Sequence, residues 1–395
     1  MTGCSRPDDI CPQPGRLPPA PTEPLAAPIW LSSVYRCQSP EQAEAMLAGT
    51  LPGHVYSREG HPNAQLLAEK CGALHGAPQG AVVASGMAAL AVVLLAQCQQ
   101  GDHVVVSDQL YGRSHALWVD EAARLGISAT VVDTTDRKAT GAALTDRTKL
   151  LLVETITNPL LRVSDIARLA EIAHARGAKL VVDNTFASPA LCRPLELGAD
   201  LVVESLTKIL NGHSDVLLGF LCGRDDAWQR VPRVLATYGF TAAPFECWLA
   251  ERGVGTLHLR IERASANALA GAQFLADRPE VEAVHYPGLS DHPDHALAAG
   301  QLAGRYGWMV TFTLRGDLAT ASRFITAARR IPFCPSLGDL CTTLTHPAST
   351  SHRLQSPEAR SKLGILDGTI RLSVGIESSQ FVLDALAEGL AAGAA

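Results

Sequence analysis

Along this 395-residue chain, short unbroken apolar runs alternate with amphipathic stretches between about residues 80 and 225. The runs at 103–107, 150–154, 180–183 and 201–203 are rich in Val and Leu and carry no polar alternation. Strands buried on both faces read this way, so the pattern predicts a largely parallel sheet with helices on each side. Between the second and third runs, Ile166, Leu169, Ala170 and Ala173 recur at helical spacing, with Ser164 as the expected N-cap and Gly177 as the expected stop. Residues 81–98 contain no charge, but Ser85 and Gly86 interrupt them. A strand followed by a buried helix is therefore expected there, not a membrane span.

Beyond about residue 250 the pattern predicts a second region, with a strand at 306–314 and a closing helix at 381–390. Eight prolines in the first 28 positions exclude regular helix and predict an extended arm. The expected organisation is an arm over 1–55, a large domain over 56–250 and a small carboxy-terminal domain over 251–395.

Composition narrows the function. A formal charge of −6 with no Lys/Arg block gives no electrostatic footprint for nucleic acid or an anionic membrane. Small-molecule chemistry is expected instead. The ten cysteines include no C-x-x-C pair, so free thiols are expected, without a metal site. No charged segment followed by an apolar run stands at the start, which points to the cytoplasm.

In open α/β sheets, functional groups collect beyond the carboxyl ends of strands. Asp183 ends one run there, and Lys208 follows another by a short polar link carrying the hydroxyls of Ser205 and Thr207. At Ser85-Gly86-Met87 a helix opens after a strand, and its unpaired amides and dipole favour an anion. A lysine able to form an imine, a carboxylate on a neighbouring strand and two phosphate holders suit pyridoxal 5'-phosphate (PLP).

The blocks YSREGHPN (56–63), SGMAAL (85–90), DQLYGRS (108–114), ETITNP (154–159), VVDNTFASP (181–189), SLTKILNGHSD (205–215), YPGL (286–289), HPAS (346–349) and RLSVGIE (371–377) occur in that order. In these the chain resembles the cystathionine γ-synthase and γ-lyase family of Cys/Met-metabolism enzymes, from about Tyr56 to the end. The resemblance implies the type I aminotransferase-like, PLP-dependent transferase fold: an α/β large domain with a mostly parallel sheet and helices on both faces, plus a smaller α/β domain. It implies that Lys208 holds the cofactor and carries protons, that Asp183 pairs with the ring nitrogen, and that Tyr111 stacks on the ring. Gly86, Met87, Ser205 and Thr207 would hold the phosphate. Tyr56 and Arg58 would reach the phosphate of a neighbouring subunit, which implies a homo-oligomer, by family habit a dimer of dimers. Arg371 and Ser336 would bind the substrate, Arg371 through its carboxylate, and Asn158 beside them would bind the cofactor.

The expected reaction is γ-elimination or γ-replacement on a sulfur amino acid or an activated homoserine, as in cystathionine γ-lyase or γ-synthase. O-acetylhomoserine sulfhydrylase and methionine γ-lyase are alternatives within the family. An aminotransferase and a catalytically idle PLP-binding protein are readings outside it. Four positions depart from the family pattern. His61 and Arg113 replace smaller residues beside the expected substrate pocket, Cys341 stands where enzymes handling cystathionine often carry Glu, and Glu204 replaces a His or Tyr. The paired histidines His292 and His295 are expected to be structural.

Overall fold

The computed structural model describes residues 22, 24–353 and 355–393. Most of the proline-rich arm, with Cys4 and Cys11, lies outside them. Seven strands form the large sheet: β1 (Gln79–Val83), β2 (His103–Ser107), β3 (Ser128–Val132), β4 (Thr148–Glu154), β5 (Lys179–Asp183), β6 (Leu201–Ser205) and β7 (Gly219–Gly223). Their order is β1-β7-β6-β5-β4-β2-β3. From β6 to β3 every pairing is parallel, while β7 runs antiparallel to both its neighbours.

The strands lack polar alternation because both faces are covered. On one face, Val105, Leu151, Val182, Val202 and Phe220 pack against three helices, α1 (Pro62–His75), α3 (Ile166–His174) and α4 (Pro244–Val254). On the other, Val104, Val106, Leu150, Leu152 and Leu221 pack against α2 (Gly86–Gln97) and the buried Trp118. The charge-free segment is thus split between β1 and α2. Among the described residues no helix is long and apolar enough to cross a membrane.

Four antiparallel strands build the second sheet, β8 (Val281–His285), β9 (Met309–Leu314), β10 (Thr343–Thr345) and β11 (Thr369–Ser373), in the order β10-β11-β9-β8. Phe312 meets Phe324 edge-on at 5.4 Å between ring centroids. A 20-residue helix, α5 (Leu257–Ala276), joins the sheets. Its Leu257, Ile261 and Ala264 enter the core of the large sheet, and its Ala268, Ala272 and Leu275 enter that of the small one.

Some expected boundaries moved. Asp165, not Ser164, caps α3, accepting from the amide of Arg168 at 3.2 Å. The Ser164 hydroxyl instead donates to the Glu154 carbonyl at 2.7 Å, closing the turn after β4. Gly177 adopts a left-handed φ of 68° beyond the last turn, as a stop requires. Tyr306 has φ 57°, which bends the chain there and delays β9 to Met309. The closing helix, α6 here, runs from Ser379–Gly393.

Candidate active site

At the carboxyl ends of β4, β5 and β6, a cavity of about 460 Å³ collects Glu154, Asp183, Ser205 and Lys208 from the large sheet and Ser336 and Arg371 from the small-sheet side. The turn after β6 presents Lys208. Gly338, at φ 84°, packs against it so closely that an added Cβ would lie 2.8 Å from the Lys208 carbonyl carbon. Only glycine fits there, and the contact brings the Ser336 hydroxyl to 3.0 Å from Lys208 Nζ. Burial and the Arg371 charge lower the lysine's pKa, in that order.

Asp183 is held by one oxygen. Its Oδ1 accepts from the Thr185 amide at 3.0 Å and the Thr185 hydroxyl at 2.6 Å, while that hydroxyl accepts from the Ser205 amide at 2.9 Å. Burial raises the carboxyl to about 6, against the two Thr185 bonds. A cationic ring nitrogen against the other oxygen would offset that cost. Beside it, Glu154 accepts the Tyr111 amide at 2.6 Å, and burial followed by the Asp183 charge raises it well above the usual range. The Glu154 bond fixes the start of the turn that carries the Tyr111 ring onto the cavity wall.

The anion end is built by α2. Ser85 caps it, taking the amide of Ala88 at 3.1 Å, so the amides left at the first turn belong to Gly86 and Met87 on the cavity wall. A Cβ at position 86 would lie 2.9 Å from the Ser205 Cβ, so glycine keeps this cradle open. The Thr207 hydroxyl donates to the Leu218 carbonyl at 3.2 Å and accepts its amide at 3.1 Å. Thr207 must release the first bond to donate to a phosphate.

On the opposite wall Arg371 is buried, and burial lowers its pKa to about 10. Its Nη1 donates to Asn158 Oδ1 at 2.6 Å, while its Nε is buried without a partner. Such an orphaned donor marks a place for an acceptor from outside the chain. The structure thus joins Asn158, expected beside the cofactor, to the Arg371 wall of the cavity. An imine-forming amine, a carboxylate with one oxygen free, a glycine-kept anion cradle and an orphaned guanidinium fit PLP with an amino-acid substrate.

The comparisons with known proteins agree. The Cys/Met metabolism PLP-dependent enzyme profile matches residues 13–391. The chain belongs to that family. Its cofactor is PLP, and it is a carbon–sulfur lyase or γ-substitution transferase by class. It is 42% identical to an O-succinylhomoserine sulfhydrylase of Pseudomonas aeruginosa, covering 92% of this chain and 90% of that one. A crystal structure of cystathionine γ-synthase from Xanthomonas oryzae pv. oryzae with aminoacrylate and cysteine superposes with a TM-score of 0.89, at 39% identity over 93% of each chain. A putative O-acetylhomoserine (thiol)-lyase from Campylobacter jejuni, holding N'-pyridoxyl-lysine-5'-monophosphate, gives 0.89 at 28% identity over 93% of this chain and 95% of that one. The PLP-dependent transferase fold expected from the sequence is the one observed.

Tyr56 and Arg58 stand outside the cavity. Arg58 lies over the Tyr56 ring at 5.6 Å and 3.5 Å from Glu59, both on the surface. Arg113 and Cys341 are exposed and line no part of the cavity. His61 caps α1: its Nδ1 accepts the Ala64 amide at 3.2 Å, so Nε2 carries the proton given to the Ala242 carbonyl at 3.0 Å. His292 is buried, and His295 stacks on Tyr306 at 5.2 Å.

Sequence reasoning missed Glu154, Thr185 and the wall from Ser349 to Arg353. A carboxylate ending an apolar strand was the available signal for Glu154. Nothing local marked the wall, where Ser351 meets the Tyr111-Gly112 turn: a Cβ at Gly112 would lie 3.1 Å from the Ser351 carbonyl.

Proposed function

We propose that the chain acts at the γ-carbon, replacing the acyloxy group of an activated homoserine, which leaves as a carboxylate, with a thiol or sulfide, in the manner of a cystathionine γ-synthase or homoserine-ester sulfhydrylase. The observation that carries this reading is the convergence of Lys208, Asp183 and the orphaned Arg371 Nε on one cavity. When bound, PLP withdraws electrons from the α-carbon of an attached amino acid. Lys208 holds the cofactor and moves protons between the carbons of the substrate; its lowered pKa leaves more of the amine in the free, basic form. Ser336 orients that amine. Asp183 keeps the ring nitrogen charged, and Tyr111 forms the aromatic platform.

Gly86, Met87, Ser205 and Thr207 bind the phosphate. Tyr56 and Arg58 complete the same site in a neighbouring subunit, so the working unit is at least a dimer, and a dimer of dimers is the arrangement we favour. Arg371 receives the α-carboxylate, with Asn158 fixing its fork. Residues 56–250 and 251–395 serve as cofactor and small domains, with α5 shared between their cores, behind an arm over 1–55. The free thiols of the eight described cysteines fit the reducing cytoplasm.

Replacement on a succinyl ester is favoured over elimination from methionine by Arg353. It lies on the cavity wall, its bond to the Thr350 carbonyl is long at 3.5 Å, and it enters no ion pair among the described residues. A free guanidinium there suits a substrate with a second carboxylate, such as a succinyl ester. Product analysis on PLP-loaded protein tests the proposal, using O-succinylhomoserine, O-acetylhomoserine, cystathionine and methionine, each with and without cysteine or sulfide. Thiol-dependent formation of cystathionine or homocysteine is the expected result. Release of a 2-oxo acid and ammonia from methionine or cystathionine alone would make it a lyase.

A further inference from the structure

The departure at Glu204 has a partner far away in the sequence. Glu204 and His75 are both fully buried, with Glu204 Oε2 3.3 Å from His75 Nε2. His75 is the last residue of α1, at the negative end of the helix dipole. Phe220, the register partner of Glu204, stacks on the ring at 5.8 Å. Among the described residues no other polar group satisfies that ring, since neither nitrogen makes an aligned hydrogen bond. The other carboxylate oxygen, Oε1, accepts the Asn184 amide group at 2.7 Å. Asn184 follows Asp183, and its Oδ1 takes the Thr155 hydroxyl at 2.7 Å, while the Thr155 amide holds the Asp183 carbonyl at 3.0 Å.

We propose that His75 and Glu204 form a charge-balanced support for Asp183, positioning residues that tune the cofactor's ring without touching it. The inference rests on Asp183 facing the ring nitrogen. Glu204 is the nearer member of the pair and adds a negative field at Asp183. The His75 ring stands against the far oxygen of Glu204, so the carboxylate is not left buried without a neighbour. The other titratable groups facing Glu204 are the thiols of Cys71, Cys192 and Cys222, all pushed up by burial and so neutral.

The test compares His75→Gln, Glu204→Gln and the double variant as reconstituted holoenzymes, following the pH midpoint of the cofactor's visible band together with melting temperature. Removing the nearer negative charge lowers the proton affinity of the chromophore, and removing the cation raises it. A midpoint shift of roughly threefold to tenfold in proton affinity is expected, downward for Glu204→Gln and upward for His75→Gln. The double variant is expected to match Glu204→Gln, because His75 acts only through Glu204. His75→Gln also loses melting temperature relative to the double variant, because it leaves the buried Glu204 without its neighbour.

Packing alone would lower melting temperatures equally at every pH and leave the midpoints together, which overturns the proposal. If His75→Gln does not fold, an unshifted Glu204→Gln midpoint overturns it as well. Wild-type protein that takes up no PLP would instead fail the reading of the site.

Discussion

Glu154 and Asp183 are register partners at the ends of adjacent parallel strands, so two carboxyls share one level of the cavity floor. Burial is the main cause that raises the proton affinity of both, the Asp183 charge adding to it at Glu154 and the Glu204 charge at Asp183. Asp183 rises from 3.8 to about 6 in the cofactor-free fold. The folded state therefore binds more protons than the unfolded one between those values, and stability falls as pH rises through that window. Above about pH 6 the full cost of a buried charge remains. Asp183→Asn keeps an oxygen for Thr185 and removes the charge. It is expected to raise the melting temperature of cofactor-free protein at pH 7.5 by a few degrees while weakening PLP binding tenfold or more, roughly the scale of one to two pKa units. Calorimetry and PLP titration check both; a less stable variant would contradict the sign.

Lys208→Ala is expected to lose the violet absorbance and turnover. Arg58→Ala is expected to retain PLP poorly, through the neighbour's site. The two inactive variants carry their lesions in different halves of a shared site. Refolding them together should therefore restore activity in hybrid dimers, where one site has both Lys208 and Arg58 intact. No recovery, despite verified subunit exchange, would confine the site to one chain.

Replacing Arg371 by Lys keeps a cation but removes the planar fork that holds Asn158. The loss of a paired, charge-assisted contact of about 1.5–3 kcal/mol predicts a fall of roughly tenfold to a hundredfold in kcat/KM. The cofactor spectrum should not change, since Arg371 serves the substrate. Steady-state kinetics beside an absorbance scan separates the two.

For Arg353→Ala, KM should rise about fivefold for a succinyl ester and stay within twofold for the acetyl ester, as expected for an exposed pair worth about 1 kcal/mol. Equal effects on both esters would remove Arg353 from substrate selection.

The parallel strands were legible because burial on both faces leaves an unbroken apolar run, and β2 lies where the sequence puts it. β7 was harder: its two glycines break the apolar run, and it is defined by antiparallel partners on either side, β1 and β6. Local competition moved the cap of α3, since Ser164 found a stronger use for its hydroxyl one residue early. Lys208, Asp183 and Arg371 were readable through quoted motifs. The pairing of Glu204 with His75 was not, because no periodicity links a helix end to a strand on the far side of a loop.

The long helix α5 also reaches the turn that follows Lys208. From its second turn, Arg260 donates to the carbonyls of Ile209, Leu210 and Gly253, and burial lowers its pKa to about 10. The same rod is anchored at its other end in the small sheet. Cutting the chain near residue 250 would therefore not release two free-standing proteins: one piece would keep the lysine with its backbone carbonyls stripped of their donor, and the other a buried cation with nothing to bind. The two sheets are one cooperative unit, and heat should take them apart in a single step.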